Sequence, residues 1–446
     1  MILPSGAEAF LPFLAPHFTP PSLLRVPFLL IAAVLTTGRR TVANGRRTLA
    51  GLARGHRTSD QRLFWAAKWS ALPLGLALAR HLVGPFLPEG PILVVVDDTA
   101  EAHPGQPIDG KARHRDAVRS SHSDTAWRYG HKGVVLAVLV RFPFATRPGA
   151  LPVLVALYRT PELNRQEGHR HRTPAQRAIG LLRRRMRSLP ERRFLLAGDS
   201  ADGTHEVARF CHRSHDRLTL VRKCHPEVHL FAPPVPSGRG RPRVKGERRP
   251  KPSAVVAGRS PRSRRRLTVP WYGGGNRRVA VLSGLGHWYQ SGHGLVPWRW
   301  IFVEDRSGTH RGEYFLTTDP ARTPAEVIGA SGGRGNIETT FQECRAALGL
   351  ESTRGWCRNT VLRAAPCRFG LYSVVAGGYT RSPESLRARV ADWPGKVGVT
   401  FSDALASVRR WFWVEGVFPQ AESGAEIQKL SPEVRDFLLA AMTPAT

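Results

Sequence analysis

Three aspartates directly follow strongly apolar segments of the sequence. Asp97 and Asp98 come after the β-branched run at 92–96, and Asp199 comes after the apolar run at 194–198. Burying a carboxylate at the end of such a strand is costly unless a cation lies beside it. Carboxylate oxygens are also the ligands that Mg²⁺ prefers. The sequence therefore predicts that these aspartates belong to a metal site.

A fourth acid, Glu338, lies in a segment with helical spacing. Ile337 and Phe341 begin an apolar stripe, and Glu338 lies at the edge of that stripe. Arg334 and Arg345 recur one and two turns from Glu338, which predicts that all three side chains lie on the same helix face. A carboxylate flanked by two arginines suits a site that holds a metal ion and a phosphate together.

The segments that must position these acids alternate between strand and helix patterns, which is typical of an α/β fold. Residues 7–88 come first and predict a helical region, with helices at 23–35 and 62–83. The predicted strands are 92–99, 133–142, 151–158, 193–198, 218–223, 278–282, 298–304 and 313–318. The predicted helices after residue 88 are 174–189, 204–212, 324–330, 337–348, 359–378, 401–412 and 434–442.

The charge balance of the chain indicates a polyanionic partner. The 446 residues include 66 Lys and Arg against 34 Asp and Glu, for a net charge of +32. Hydrophobic residues make up 41% of the chain, which is enough for a real core and excludes wholesale disorder. The strongest apolar run, at 26–35, has about ten residues where a membrane span needs roughly twenty. We therefore expect a nucleic-acid partner, no membrane association, and a cytoplasmic, nucleoid-associated protein.

A basic segment at 237–266 carries twelve Lys and Arg against a single acid, Glu247. Like charges at this density favour a mobile arm that becomes ordered on a phosphate backbone. Within the arm, Gly240-Arg241-Pro242-Arg243 is similar to the core of an AT-hook, which reads the minor groove. Nonspecific phosphate binding by Arg241 and Arg243 is the alternative interpretation.

Taken in order, these motifs resemble those of a known family. Asp97-Asp98-Thr99, Gly198-Asp199 and the spacing of Arg334, Glu338 and Arg345 resemble the three acidic motifs of bacterial insertion-sequence DDE transposases. The third family motif is Tyr-x2-Arg-x3-Glu-x6-Lys. This chain has Ser331 at the tyrosine position and Arg345 at the lysine position, so the positive charge is kept while the tyrosine hydroxyl and ring are not.

The resemblance implies an α/β fold, with an RNase H-like mixed sheet flanked by helices, an N-terminal helical domain and an all-β insertion before the catalytic glutamate. The expected domains are a helical DNA-binding domain at 1–88, the first part of the catalytic core at 89–230, a basic arm and strand insertion at 231–322, the second part of the core at 323–380, and a helical tail at 381–446.

The resemblance also implies the chemistry. Two Mg²⁺ ions, with Mn²⁺ as a substitute, would be held by Asp97, Asp199 and Glu338 for phosphodiester cleavage and strand transfer. Asp98 is the alternative to Asp97, because side chains alternate along a strand and only one of the two can face the metals. The substrates would be terminal inverted repeats and target DNA, bound by a homodimer.

Further residues are expected to contact that DNA. They are Arg334, Arg345 and Lys132 near the cleft, and Trp298 and Trp356 as stacking faces for a flipped base. For either tryptophan, the alternative is a place in the hydrophobic core.

Two other functions fit part of the pattern. A catalytically inactive DNA-binding protein derived from a transposase explains the charge but gives no reason for three acids next to apolar segments. Another RNase H-like nuclease explains the acids equally well.

Overall fold

The structure is a computed structural model of the chain. It describes residues 3–444 except 104, 106, 117–118, 122, 200–203, 236–241, 272–274, 353, 389–393, 395, 397 and 423. Among the described helices, none combines the length and the hydropathy that a bilayer crossing requires.

Before residue 90 the described part of the chain forms consecutive helices with no strand between them. Strands begin only after residue 90. The helices of the N-terminal region are α1 (Leu11–Leu14), α2 (Pro20–Leu23), α3 (Val26–Leu35), α4 (Val42–Thr48), α5 (Arg57–Trp65) and α6 (Ala71–Phe86). Those that follow are α7 (Pro161–Gln166), α8 (Pro174–Ser188), α9 (His205–Arg213), α10 (Pro252–Ala257), α11 (Pro324–Gly332), α12 (Asn336–Leu348), α13 (Arg358–Arg381), α14 (Phe401–Trp411), α15 (Gly424–Lys429) and α16 (Pro432–Met442).

The strands form one mixed sheet. They are β1 (Ile92–Ala102), β2 (Ala112–Arg115), β3 (Trp127–Val140), β4 (Gly149–Tyr158), β5 (Phe194–Gly198), β6 (Leu218–Lys223), β7 (Leu230–Phe231), β8 (Arg265–Pro270), β9 (Asn276–Gln290), β10 (Gly294–Asp305) and β11 (Glu313–Thr317). The sheet has eleven strands in the order β2-β3-β1-β5-β6-β11-β10-β9-β7, with β4 paired to β3 and β8 paired to β9.

The centre of this sheet combines both strand directions. β1 is antiparallel to β3 and parallel to β5, and β5 is parallel to β6. The valines at 94–96 are buried, as expected for a strand covered on both faces. Helices α6, α12 and α13 pack on β4, and α8 contacts β3 and β4. The expected mixed sheet flanked by helices is confirmed, and the RNase H-like character of the core stays a prediction from the resemblance.

The strands within 231–322 continue the same sheet. β11 pairs with β6, and β9, β10 and β11 form an antiparallel meander beyond it. Trp298 and Trp300 on β10 are buried, so they contribute to the core on which these strands pack.

The predicted helix 62–83 was wrong as a single element. The structure ends α5 at Trp65 and begins α6 at Ala71. Trp69 lies in the connection, where its indole N–H donates to the carbonyl of Leu63 at 2.6 Å. Pro73 then occupies the first turn of α6, where the backbone N–H that proline lacks would have no helical partner. The apolar spacing continues across the break, which is why periodicity missed it.

The described part of the basic segment, residues 242–266, contains regular secondary structure. Helix α10 and the start of β8 lie within it, and Val256 on α10 is buried. Two of its cations have acidic partners at 2.7 Å, since Lys251 pairs with Glu227 and Arg264 pairs with Glu304. The prediction of a mobile arm was therefore wrong for residues 252–257 and 265–266, which form a helix and the start of a strand, while residues 237–241 lie outside the described residues.

Several arginines lie inside the protein and donate to backbone carbonyls at helix ends or in the connections that follow them. Arg363 on α13 is 6% exposed and donates to the carbonyls of Phe64, Ala67 and Trp69, at 2.9, 2.7 and 2.8 Å. Arg409 on α14 is fully buried and donates to the carbonyl of Val34 at 3.0 Å, near the end of α3. A cation suits a helix C-terminus, because the last carbonyls lack helical partners and carry partial negative charge.

Replacing Arg363 with Met should lower the free energy of unfolding by about 2–4 kcal/mol, because three carbonyls lose a charged donor while a similar side-chain volume remains. Chemical denaturation measures this change. Arg358→Met, at the exposed first residue of the same helix, is the matched control and should change stability by less than about 0.5 kcal/mol. Equal effects of the two substitutions would contradict this role for Arg363.

Candidate active site

Asp97 lies on β1, and Asp199 directly follows the neighbouring parallel strand β5. Val95 on β1 is paired with Ala197 on β5, so the residues two positions further along each strand lie side by side. Asp199 directly follows β5, as predicted. Asp97 does not end its strand, because β1 continues to Ala102 through its pairing with β3. The predicted strand 92–99 therefore ended three residues too early.

The alternation of side chains along β1 separates Asp97 from Asp98. Asp97 Oδ2 accepts from Arg334 Nη2 at 3.2 Å, whereas Asp98 Oδ1 pairs with Lys132 Nζ at 2.8 Å. The backbone N–H of Asp98 also donates to Asp97 Oδ1 at 2.8 Å. Of the two residues, the geometry thus places Asp97 beside Asp199.

Glu338 is held in place by the packing of α12. Ile337 and Phe341 are buried, and the hydroxyl of Thr340 donates to the β4 carbonyl of Ala150 at 2.9 Å. Glu338 lies in the first turn of α12 on the more exposed side, with 56% of its side chain accessible. Arg334 precedes α12, so the prediction of one helix face shared by Arg334, Glu338 and Arg345 was wrong.

Arg334 contacts all three acids. Its Nη2 lies 3.2 Å from Asp97 Oδ2 and 3.3 Å from Asp199 Oδ2, and its Nη1 donates to Glu338 Oε1 at 2.6 Å. The carboxylates come from a strand, a strand end and a helix, and one guanidinium joins them. Three acids around one base leave an excess of negative charge, which attracts further cations.

Burial raises the pKa of the Asp97 carboxyl to about 6, even though the nearby guanidinium of Arg334 acts in the opposite direction. The ionised form of Asp97 is consequently costly at neutral pH. Such a cost is common at functional sites, where stability is given up for chemistry.

The three acids fit a divalent cation in ligand type, since each offers hard carboxylate oxygens. Their spacing is set by the guanidinium between them. In the part of the chain that the structure describes, no group of three or more His, Cys, Asp or Glu side chains is close enough to hold a metal ion without rearrangement.

Arg345 does not reach the three carboxylates. Its Nη2 donates to the hydroxyl of Thr99 and, at 3.3 Å, to the carbonyl of Ala100, and its Nε lies 3.5 Å from Glu351 Oε1. These contacts fasten the end of α12 to β1 just beyond Asp98. Arg345 therefore positions the helix that carries Glu338.

Glu351 is a residue that sequence reasoning missed. Its Oε1 accepts from the backbone N–H of Ala102 at 3.2 Å and from Arg128 at 3.0 Å, in addition to its pairing with Arg345. It connects β1, β3 and the end of α12. No local pattern indicates this role, because its partners are far away in the sequence.

The remaining predicted DNA contacts have different environments. Lys132 is paired with Asp98, and Arg243 is exposed. Trp298 is 2% exposed and packs against Trp288 at 4.4 Å between ring centroids, which leaves no open face for a base. Trp356 is 68% exposed and offers such a face. Arg241 lies outside the described residues.

A cavity of about 850 Å³ lies between the N-terminal helices and α13, and it does not include the acids. Its wall is mainly apolar, with Phe13, Phe64, Trp69 and Phe369 among the lining residues. The cavity is therefore separate from the carboxylates around Arg334.

Comparison with known proteins identifies a family to which the chain is similar. The family described as DDE superfamily endonuclease matches residues 14–278, which is more than half of the chain. The chain belongs to this family of DDE superfamily endonucleases. The match includes Asp97 and Asp199 and ends before Glu338, so only the structure connects the third acid to the first two.

The DDE endonuclease chain is also similar to a solved structure, a cryo-EM structure of the piggyBac transposase synaptic complex with hairpin DNA. The TM-score is 0.40 at 11% sequence identity, with coverage of 98% of this chain and 76% of that chain. A search among curated proteins found no match.

Asp97→Asn should raise the free energy of unfolding at pH 8 by about 1–2 kcal/mol and change it little near pH 4. The reason is that a raised carboxyl pKa favours the protonated form in the folded state, so stability falls as pH rises from about 4 through 6. Denaturation at several pH values measures the difference. Asp98→Asn is the control, and an Asp97→Asn protein that is less stable than wild type at pH 8 would contradict the prediction.

Proposed function

We propose that the protein is a bacterial insertion-sequence transposase, which cleaves DNA at terminal inverted repeats and transfers the ends to target DNA. The observation that carries this proposal is the convergence of Asp97, Asp199 and Glu338 on Arg334 in a chain of the DDE superfamily endonucleases. Endonucleases of this superfamily generally use divalent metal ions, and three carboxylates suit Mg²⁺ or Mn²⁺.

Each of these residues would have a separate role in the reaction. Asp97, Asp199 and Glu338 would hold the metal, which supplies Lewis-acid stabilisation to the attacking and leaving oxygens of the phosphodiester. Arg334 would neutralise the phosphate, since a guanidinium can donate to two phosphate oxygens at once. Arg345 holds α12 against β1, so that Glu338 stays within reach of the aspartates.

DNA binding is supported by the net charge of +32 and by exposed cations such as Arg39 and Arg243. We propose that the helical region at 1–88 and the segment 231–322 contact DNA on either side of the catalytic core, with the tail at 381–446 completing the chain. A homodimer would allow the two inverted repeats to be cut in one synaptic complex. Trp356 is the better placed of the two candidate tryptophans to stack on a base.

The alternative of an inactive DNA-binding protein is less well supported. Such a protein has no need to keep Asp97 buried at a cost in stability, nor to bring acids from three separate elements together. Another RNase H-like nuclease would use the same residues and would differ in cutting DNA without joining it.

Cleavage should depend on the three acids. With the DNA that flanks the gene as the donor and Mg²⁺ present, Asp199→Asn and Glu338→Gln should each reduce excision at least about 100-fold, because each removes a charged metal ligand. Asp98→Asn should stay within about tenfold of wild type, since Asp98 pairs with Lys132 instead. A plasmid excision assay measures this.

Equal excision by all variants would disprove the catalytic assignment. Specific binding of the flanking DNA without cleavage by any protein, wild type included, would favour the inactive DNA-binding protein. Cleavage without strand transfer would favour a nuclease.

DNA binding should weaken steeply with salt. The slope of log K against log salt concentration is negative, and each phosphate contact that is lost should reduce its magnitude by about 1. Arg243→Gln should produce a change of that size. Titration of a labelled duplex at several salt concentrations measures the slope. Glu247→Gln, four residues away, is the control. It removes an acid, so the magnitude of the slope should stay unchanged or increase.

A further inference from the structure

Arg334 forms ion pairs with the same carboxylate oxygens that a metal would need. Its Nη2 lies 3.2 Å from Asp97 Oδ2 and 3.3 Å from Asp199 Oδ2, and its Nη1 lies 2.6 Å from Glu338 Oε1. Both terminal nitrogens are thus engaged by the acids. The guanidinium does more than lie beside the site, because it occupies the space between its three members.

A guanidinium and a divalent cation cannot both take this position. Mg²⁺ binds carboxylate oxygens at about 2.0–2.1 Å and needs a nearly ideal octahedral arrangement. A guanidinium that donates to the same oxygens blocks the approach, and two cations in contact repel strongly where water is partly excluded. Binding of metal therefore requires Arg334 to leave at least the two aspartates.

We propose that Arg334 competes with the divalent metal for the three carboxylates, and that a DNA phosphate, by drawing the guanidinium away, couples metal loading to DNA binding. This inference rests on the proposed function, because it takes the three acids as metal ligands. It gives Arg334 a second role, in which the guanidinium neutralises part of the negative charge of the carboxylates until DNA is bound.

The surroundings of Arg334 provide a route for this movement. The accessible fraction of the side chain rises from 16% at Asp97 to 40% at Asp199 and 56% at Glu338, so the cluster opens toward solvent on the Glu338 side. The guanidinium of Arg334 is itself partly accessible, with 18% of its side chain exposed. Gly335, directly after the arginine, has no neighbouring atom within 4 Å of the place where a side chain would begin.

The coupling must act in both directions. If DNA strengthens metal binding by drawing Arg334 away, metal strengthens DNA binding by the same factor, and such factors are typically about 5 to 150. The enzyme would then hold its metal weakly in free solution and tightly on DNA, which limits hydrolysis of unintended phosphodiesters.

The decisive test is Mn²⁺ binding without DNA. Isothermal titration with MnCl₂ should show that Arg334→Gln binds Mn²⁺ about 5- to 50-fold more tightly than wild type, since the competitor is gone. Arg334→Lys should lie between the two, because an ammonium cannot bridge three carboxylates as a planar guanidinium does. Thermal unfolding without metal checks that each variant is folded.

A matched control removes the effect of net charge alone. Arg322→Gln also deletes one positive charge, at an arginine whose side chain is 18% exposed, as is that of Arg334, and whose acidic partners are Asp319 and Glu326. It should leave Mn²⁺ affinity within about twofold of wild type. If Arg322→Gln tightens binding as much as Arg334→Gln, the effect is one of general charge and the inference is wrong.

Two other results for Arg334→Gln would also overturn the inference. Unchanged Mn²⁺ affinity in Arg334→Gln would mean that the arginine serves DNA alone, and weaker affinity would mean that it organises the ligands; either result overturns the competition.

Adding a 20-bp duplex should tighten Mn²⁺ binding more in wild type than in Arg334→Gln. Failure of the proposed function is separate, and would appear as wild-type Mn²⁺ binding that Asp97→Asn and Asp199→Asn leave unchanged.

Discussion

The ion pairs between Arg334 and three carboxylates are the interaction on which the rest of the site depends. Asp97 is largely buried and its pKa is raised, so an ionised Asp97 needs a cation beside it. Asp199 and Glu338 come from other elements and share that same cation. The parallel register of β1 and β5 brings the aspartates together, and the packing of α12 on β4 brings the glutamate. The scaffold thus concentrates negative charge at one point, and the guanidinium balances part of it.

The positive charge of the chain has two separate uses. Part of it lies inside, where Arg363 and Arg409 donate to backbone carbonyls at or just beyond helix ends, and the partly exposed Arg345 fastens α12 to β1. The rest remains at the surface and is available to a polyanion. Net charge alone overstates how many arginines are available to a polyanion, since buried donors to carbonyls cannot also bind phosphate.

Local patterns in the sequence predicted most of the elements, because strands covered on both faces and amphipathic helices leave clear periodicities. Asp199 directly follows its strand as expected, and α12 begins within a residue of its predicted start. Other features depend on contacts between distant segments and could not be seen. Trp298 is buried by its neighbours in the sheet, β1 extends past Asp98 because β3 pairs with it, and Glu351 joins partners that no spacing rule relates. The position of Arg334 before α12, facing three acids, also follows only from the folded chain.

Membership in the DDE superfamily endonucleases rests on residues that include two of the three acids, and the structure adds the third. The central claim is that these acids form one metal site. Anomalous diffraction from crystals soaked in MnCl₂ tests this most directly. We predict a manganese peak within about 2.0–2.3 Å of carboxylate oxygens from both Asp97 and Asp199, with Arg334 displaced from them. A peak bound to Asp98 instead, or no peak between the two aspartates at saturating Mn²⁺, would contradict the account.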